Sequence, residues 1–147
     1  MKLLRAGNKD IDKLLEIEKT AIGKRTYSGY FSKKEIKDWI SSENVFLIEE
    51  GNDIVGSISY EVKNEKEVYI SGLIIQTEFQ KKGFAKKAIR ILLDGLNKYT
   101  QVSLAVHPDN PALKLYESLD FVVMSRIEDY FGDGEPRLLM KKTYPSR

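Results

Sequence analysis

Residues 44–76 hold three β-rich runs, NVFLIEE, DIVGSISYEV and EVYISGLIIQ, separated by turn signals at EGND and KNEK. Connections this short join hairpin neighbours, so the three runs read as an antiparallel meander. Whatever else the chain contains must pack around that sheet.

On the N-terminal side, KLLRA is a short strand, followed by a helix with Asn8 as its expected cap and Ile11, Leu14, Leu15 and Ile22 at helical spacing. Glu18 falls on the same stripe. A second helix starts at SKKE, where Ser32 and Glu35 have capping-box spacing; Ile36, Trp39 and Ile40 form its apolar face, and it ends near Ser42. After the meander, Ala85, Ala88, Ile89, Leu92, Leu93 and Leu96 mark the buried face of a third helix. The strand QVSLAV, the helix PALKLYESL with Pro111 in its first turn, and the strands FVVMSRI and RLLMKK complete the chain. Between the last two strands, YFGDGE reads as a loop with a tight Asp-Gly turn. The order β-α-α-β-β-β-α-β-α-β-β describes an α/β or α+β layer protein, a mixed sheet covered by helices.

The chain has 147 residues, 41% apolar and 31% charged, which suits one ordinary domain with a buried core spanning 1–147. A net charge of +2 argues against nucleic acid as a partner, and no stretch is apolar over membrane length. With no cysteine, thiolate zinc sites and a cysteine nucleophile are excluded, and no metal site is expected. MKLLRAGNKDIDKLL has neither a long apolar run nor a small-residue cleavage site, so a cytoplasmic location is expected.

The third helix breaks a rule. A helix start carries partial positive charge and attracts Asp or Glu, yet Lys81, Lys82, Lys86 and Lys87 crowd this one, with no carboxylate among them. Gly83 stands where backbone N–H groups must approach something closely. A strand ending near Gln76, a loop and this helix start together form an anion cradle. Backbone N–H groups from Gln80 to Ala85 would bind phosphate or pyrophosphate, with added attraction from the lysines. Neither the Walker pattern nor the dinucleotide glycine fingerprint is present.

Gln80-Lys81-Lys82-Gly83-Phe84-Ala85 resembles the Gln/Arg-x-x-Gly-x-Gly/Ala signature of the GNAT family, the acyl-CoA-dependent N-acyltransferases. A second block, LAVHPDNPALKLYESLDF, is similar to the family's strand-loop-helix motif through Leu104, Val106, Asn110, Ala112, Leu115, Tyr116 and Phe121. DYFGDGEPRLLMKK and LLEIEKTA resemble segments of the RimI-type branch, which acetylates protein N-termini. The resemblance covers Lys2 to Lys142 and implies a GNAT fold, a mostly antiparallel sheet of about seven strands with helices on both faces. It also implies acetyl-CoA as donor. The pyrophosphate would sit on Gln80, Lys81, Lys82, Gly83, Phe84, Ala85 and Lys86, and the pantetheine along Leu73, Ile74 and Ile75. Asn110, Ala112, Leu115 and Tyr116 would complete the cofactor wall, with Asn110 also an N-cap and Leu115 and Ala112 also core. Tyr116 matches the family tyrosine that protonates the leaving thiolate.

The resemblance leaves the base open. RimI-type enzymes carry Glu, and another N-terminal acetyltransferase branch His, where this chain has Ala105. Glu18 interrupts an apolar helix face and Tyr69 matches a strand tyrosine that holds water, so both are candidates. His107 shares the strand face of Ala105. Asp120 stands where the family has a helix-ending glycine. The expected acceptor is a peptide or protein N-terminus, in a groove walled by Tyr27 and Tyr30 on one side and Tyr130, Phe131 and Glu135 on the other. A small-molecule amine acetyltransferase and a CoA-binding regulator without catalysis are the alternatives. The chain is expected to be a monomer or homodimer.

Overall fold

The structure is a computed structural model describing residues 1–144. Seven strands, β1 (Lys2–Arg5), β2 (Asn44–Glu50), β3 (Asp53–Val62), β4 (Glu67–Ile75), β5 (Gln101–Val106), β6 (Val122–Ile127) and β7 (Arg137–Thr143), form one sheet. Their order across it is β1-β2-β3-β4-β5-β7-β6. The meander predicted from its short turns is β2-β3-β4, and every neighbouring pair is antiparallel except β4 with β5. That pair is parallel because α3 (Phe84–Gly95) lies between its members and returns the chain to the same end.

Helices cover both faces. On one, α1 (Ile11–Glu18) and α2 (Lys33–Ser42) bury Leu14, Ile17, Ile36 and Trp39 against Val45, Leu47 and Ile74. On the other, α3 buries Ala88, Ile89, Leu92 and Leu93 against Ile48, Ile58, Val68, Val102 and Met140, and α4 (Ala112–Ser118) adds Tyr116. Ser32 caps α2 by accepting the Glu35 N–H at 3.1 Å, while the Glu35 carboxylate takes the Ser32 hydroxyl. Such a cap contributes about 1 kcal/mol.

The start of α1 differs from expectation. Asn8 lies inside a 3-10 turn (Asn8–Asp10), and Asp10 accepts the Gly7 N–H at 2.9 Å, so Asp10 supplies the polar closure expected of Asn8. Ile22 lies beyond the helix and is 59% exposed, because the chain leaves helical geometry after Ala21. Asp120 does end α4 in the left-handed region at φ 70°. Its N–H bonds Glu117 and that of Phe121 bonds Tyr116, the glycine-type ending made by an aspartate. The loop after β6 is longer than a two-residue hairpin. Asp129 accepts the Gly134 N–H at 2.7 Å across it, and Gly132 and Gly134 both take positive φ.

β4 carries the irregularity that matters most. Ser59 pairs with Gly72 and Tyr60 with Ile70, so Ser71 is an extra residue, a bulge. Parity along the strand flips there. Val68 and Ile70 belong to the α3 face before the bulge, whereas Leu73 and Ile75 do so after it and Ile74 turns to the α1/α2 face.

Candidate active site

The parallel ladder between β4 and β5 runs only from Glu67–Gln101 to Ile70–Leu104, and ends where the bulge begins. Beyond it β4 continues to Ile75 on its pairing with β3, and β5 continues to Val106 on its pairing with β7. The two strands therefore part, and the β5-facing backbone of Leu73, Ile74 and Ile75 borders an opening in the middle of the sheet. Below this edge stands the predicted cradle. Gly83 precedes α3 at φ 80° with no heavy atom within 4 Å of where a Cβ would be. Lys81 also takes positive φ, 63°, and Gln80 Nε2 donates to the Ile75 carbonyl at 2.8 Å, tying loop to strand. Phe84 and Ala85 begin the helix, its first turn free of carboxylates. Among the described residues Lys81, Lys82 and Lys86 make no ion pair. Lys87 does, with Glu50 at 2.7 Å, and so leaves the expected cluster. A free strand edge continuing into free helical N–H groups, with three uncommitted ammonium groups around them, fits an elongated ligand ending in pyrophosphate.

A cavity of about 290 Å³ opens between the parted strands. Glu18, Tyr27, Tyr30 and Trp39 line it from the α1/α2 side, Ser71 to Ile74 from β4, Ala105 and His107 from β5, and Asn110 and Tyr116 from α4 and its approach. Glu18 and Tyr116, far apart in sequence, thus border one space. Glu18 is 4% exposed, and burial pushes its carboxyl up from 4.5 to about 8, opposed in part by a hydrogen bond from the Tyr30 backbone. Its Oε2 has no partner among the described residues. The lack of a side chain at Gly29 lets the loop before α2 lie over this carboxyl: a Cβ there would stand 3.0 Å from Oε2. Tyr116 is buried edge-on against Phe121, and burial, then Tyr27, raise its hydroxyl pKa, so the proton is firmly held. Asn110 accepts the Ala112 N–H at 2.9 Å, which closes the start of α4 as expected of an N-cap. Ala112 and Leu115 pack on the core from the half-buried side of that helix.

Three groups differ from the sequence expectation. Tyr69 does not line the cavity; its ring lies under Lys63 at 5.2 Å and beside Tyr130, as a packing residue would. Tyr130 also stands off the cavity, edge-on to Phe131 at 4.7 Å, and only Phe131 lines it. Both loop aromatics have packing partners, since Phe131 lies 5.0 Å from the Arg137 guanidinium. Glu135 is committed to His107 Nε2 at 2.8 Å and Arg25 at 3.4 Å, which hold its carboxyl below the usual range. Because His107 Nδ1 accepts the Asp109 N–H, the ring proton sits on Nε2 and is donated to Glu135. Arg25 also bonds Asp109 at 2.7 Å, and Arg137, 2% exposed, bonds Asp133 at 3.1 Å. These contacts clasp the loops after α1, β5 and β6 around the cavity mouth. None of Arg25, Asp109, Arg137 or Ser71 was legible as a site residue, because each is marked only by the partner it meets across the fold.

The sequence profile of the acetyltransferase (GNAT) domain matches residues 14–144. An N-alpha-acetyltransferase of Saccharolobus solfataricus is 25% identical over 148 residues, covering 90% of this chain and 87% of that protein. The N-terminal acetyltransferase B complex catalytic subunit NAA20 of Arabidopsis thaliana is 29% identical over 99 residues, covering 63% of this chain and 57% of its own length. The crystal structure of the ribosomal-protein-S18-alanine N-acetyltransferase from Escherichia coli superposes with a TM-score of 0.83 at 18% identity, over 99% of this chain and 95% of that one. With the parted strands, the glycine-led cradle and the profile match over nearly its whole length, the chain belongs to the GNAT family of acetyl-CoA-dependent N-acetyltransferases.

Proposed function

We propose that the acceptor is the α-amino group of a peptide or protein N-terminus, and that Glu18 and Tyr116 carry the two proton transfers. Acetyl-CoA supplies an activated acetyl thioester. The observation that carries the reading is the buried carboxyl of Glu18, poised near 8 on the wall of the same cavity as the Tyr116 hydroxyl. An α-ammonium has an ordinary pKa of about 8, against about 10.4 for lysine, so a carboxylate of matched basicity can take its proton. Glu18 in its ionised form, which a neighbouring ammonium favours, would accept that proton and leave a neutral nitrogen to attack the thioester carbon. As the C–N bond forms and the C–S bond breaks, the proton on Tyr116 Oη would go to the departing sulfur, and the phenolate so formed would take up the second proton that the acylated nitrogen loses. With no cysteine in the chain, transfer is direct, in a ternary complex. The β5-facing backbone groups of the Leu73, Ile74 and Ile75 stretch that remain unpaired, the Ile75 carbonyl being taken by Gln80, would hold the donor, and Gln80 to Lys86 would hold its pyrophosphate.

The two N-terminal acetyltransferase relatives support a peptide acceptor, as do Tyr27, Tyr30 and Phe131 around the mouth. Matched peptides test it. One has a free N-terminus and no lysine; the other is blocked at the N-terminus and carries a lysine. Competing at equal concentration, the first should take nearly all the acetyl groups. If both are inert while a polyamine or free amino acid turns over, the small-molecule reading replaces this one.

A further inference from the structure

Two residues that line the cavity each carry a buried polar atom with no hydrogen-bond partner among the described residues, Glu18 Oε2 and Trp39 Nε1. The proposed mechanism uses the first and leaves the second idle. Trp39 is 5% exposed, so water does not relieve its N–H, and a buried donor left unpaired keeps its full desolvation cost. The ring is held from two sides. Tyr30 packs on it at 4.9 Å between centroids, and Gly72 on β4 faces its Cζ2, where a Cβ would stand 4.0 Å away. Cζ2 and Nε1 are both bonded to Cε2, so the indole edge carrying the N–H lies close to Gly72 on β4.

We infer that Trp39 is a specificity-determining residue, its indole N–H donating to the first carbonyl oxygen of an acceptor whose amine is received by Glu18. The two orphan groups are opposite in sense, for a carboxylate accepts and an indole N–H only donates. An α-amino amide answers both, with a donor nitrogen and an acceptor oxygen three bonds apart. A polyamine has donors alone when protonated and leaves the indole unpaired. The cavity would thereby favour peptide N-termini over amines with no oxygen near the nitrogen. The inference rests on the peptide reading above and adds to it a named contact.

The test uses a free N-terminal peptide and its isostere in which the first amide is replaced by a trans alkene, which keeps the shape and removes the oxygen. Trp39→Phe keeps the ring and removes the N–H. In the ratio of wild-type to variant kcat/KM, differences in amine pKa cancel. That ratio should be about tenfold for the peptide and near one for the isostere, the scale of a single hydrogen bond. Trp39 is the single tryptophan, so wild-type emission gives a second reading that needs no variant. With CoA bound, the peptide should shift the emission to the red and the isostere should not. Equal ratios for the two acceptors, or equal emission shifts, overturn the contact and leave the indole a packing or donor-side residue. A peptide that is not acetylated at all overturns the acceptor reading as well, so the two failures are distinguishable.

Discussion

Glu18 is a carboxyl group that folding drives toward its neutral form, and the proposed mechanism gives that cost a use in the cavity it shares with Tyr116. Transfer from ammonium to carboxylate needs Glu18 ionised and the amine still protonated on arrival. Since the carboxyl titrates at about 8 and the amine at about 8 as well, kcat/KM should pass through a maximum near that pH. Glu18→Gln should lower kcat on the order of 10²-fold. It should also turn the maximum into a rise to a plateau, because only amine already neutral can then react. Acetyl-CoA affinity, measured by calorimetry, should be unchanged. A profile of the same shape in both proteins would remove Glu18 from the proton path. Sequence alone left the base open, since Ala105 occupies the strand position where related branches carry theirs. The carboxyl instead reaches the cavity from α1, across the sheet opening.

At the scale of an element, α3 has a helix start left open by omission, as the proposed pyrophosphate site requires. It has no carboxylate in its first turn and no side chain at Gly83, which takes a φ of 80°. Gly83→Glu places a carboxylate over that surface at a backbone cost of about 1 kcal/mol, too little to unfold the domain. Calorimetry should show acetyl-CoA binding weakened at least a hundredfold while circular dichroism is preserved. Unchanged affinity in the folded variant would end the cradle assignment. This element was readable in advance, because helix polarity and glycine are local properties. The loop after β6 was not. Phe131 is 47% exposed, as the loop suggests, yet Tyr130 packs on Phe131 and Tyr69, and Phe131 lies beside Arg137.

At the scale of the whole molecule, the same buried carboxyl links stability to pH. The folded state holds the Glu18 proton up to about 8, whereas the unfolded chain releases it near 4.5. Between those values the folded state binds more protons, so stability is full below the window and declines as pH rises through it, by up to about 4 kcal/mol. Urea denaturation at the two ends of the window should show that decline in the wild type and a smaller one in Glu18→Gln. An identical decline in the two proteins would mean that other groups set it. The amino-acid sequence by itself determined the order of elements, the meander, the Ser32 cap and the glycine-led, carboxylate-free start of α3. Each follows from short-range periodicity or from the geometry that a few adjacent residues allow. Only the tertiary structure decided that β4 and β5 part beyond Ile70 and Leu104, that Glu18 and Tyr116 border one cavity, and that the Trp39 N–H is left without a partner there. A bulge in one strand and the burial of two side chains depend on residues brought together from across the chain, and no local pattern records them.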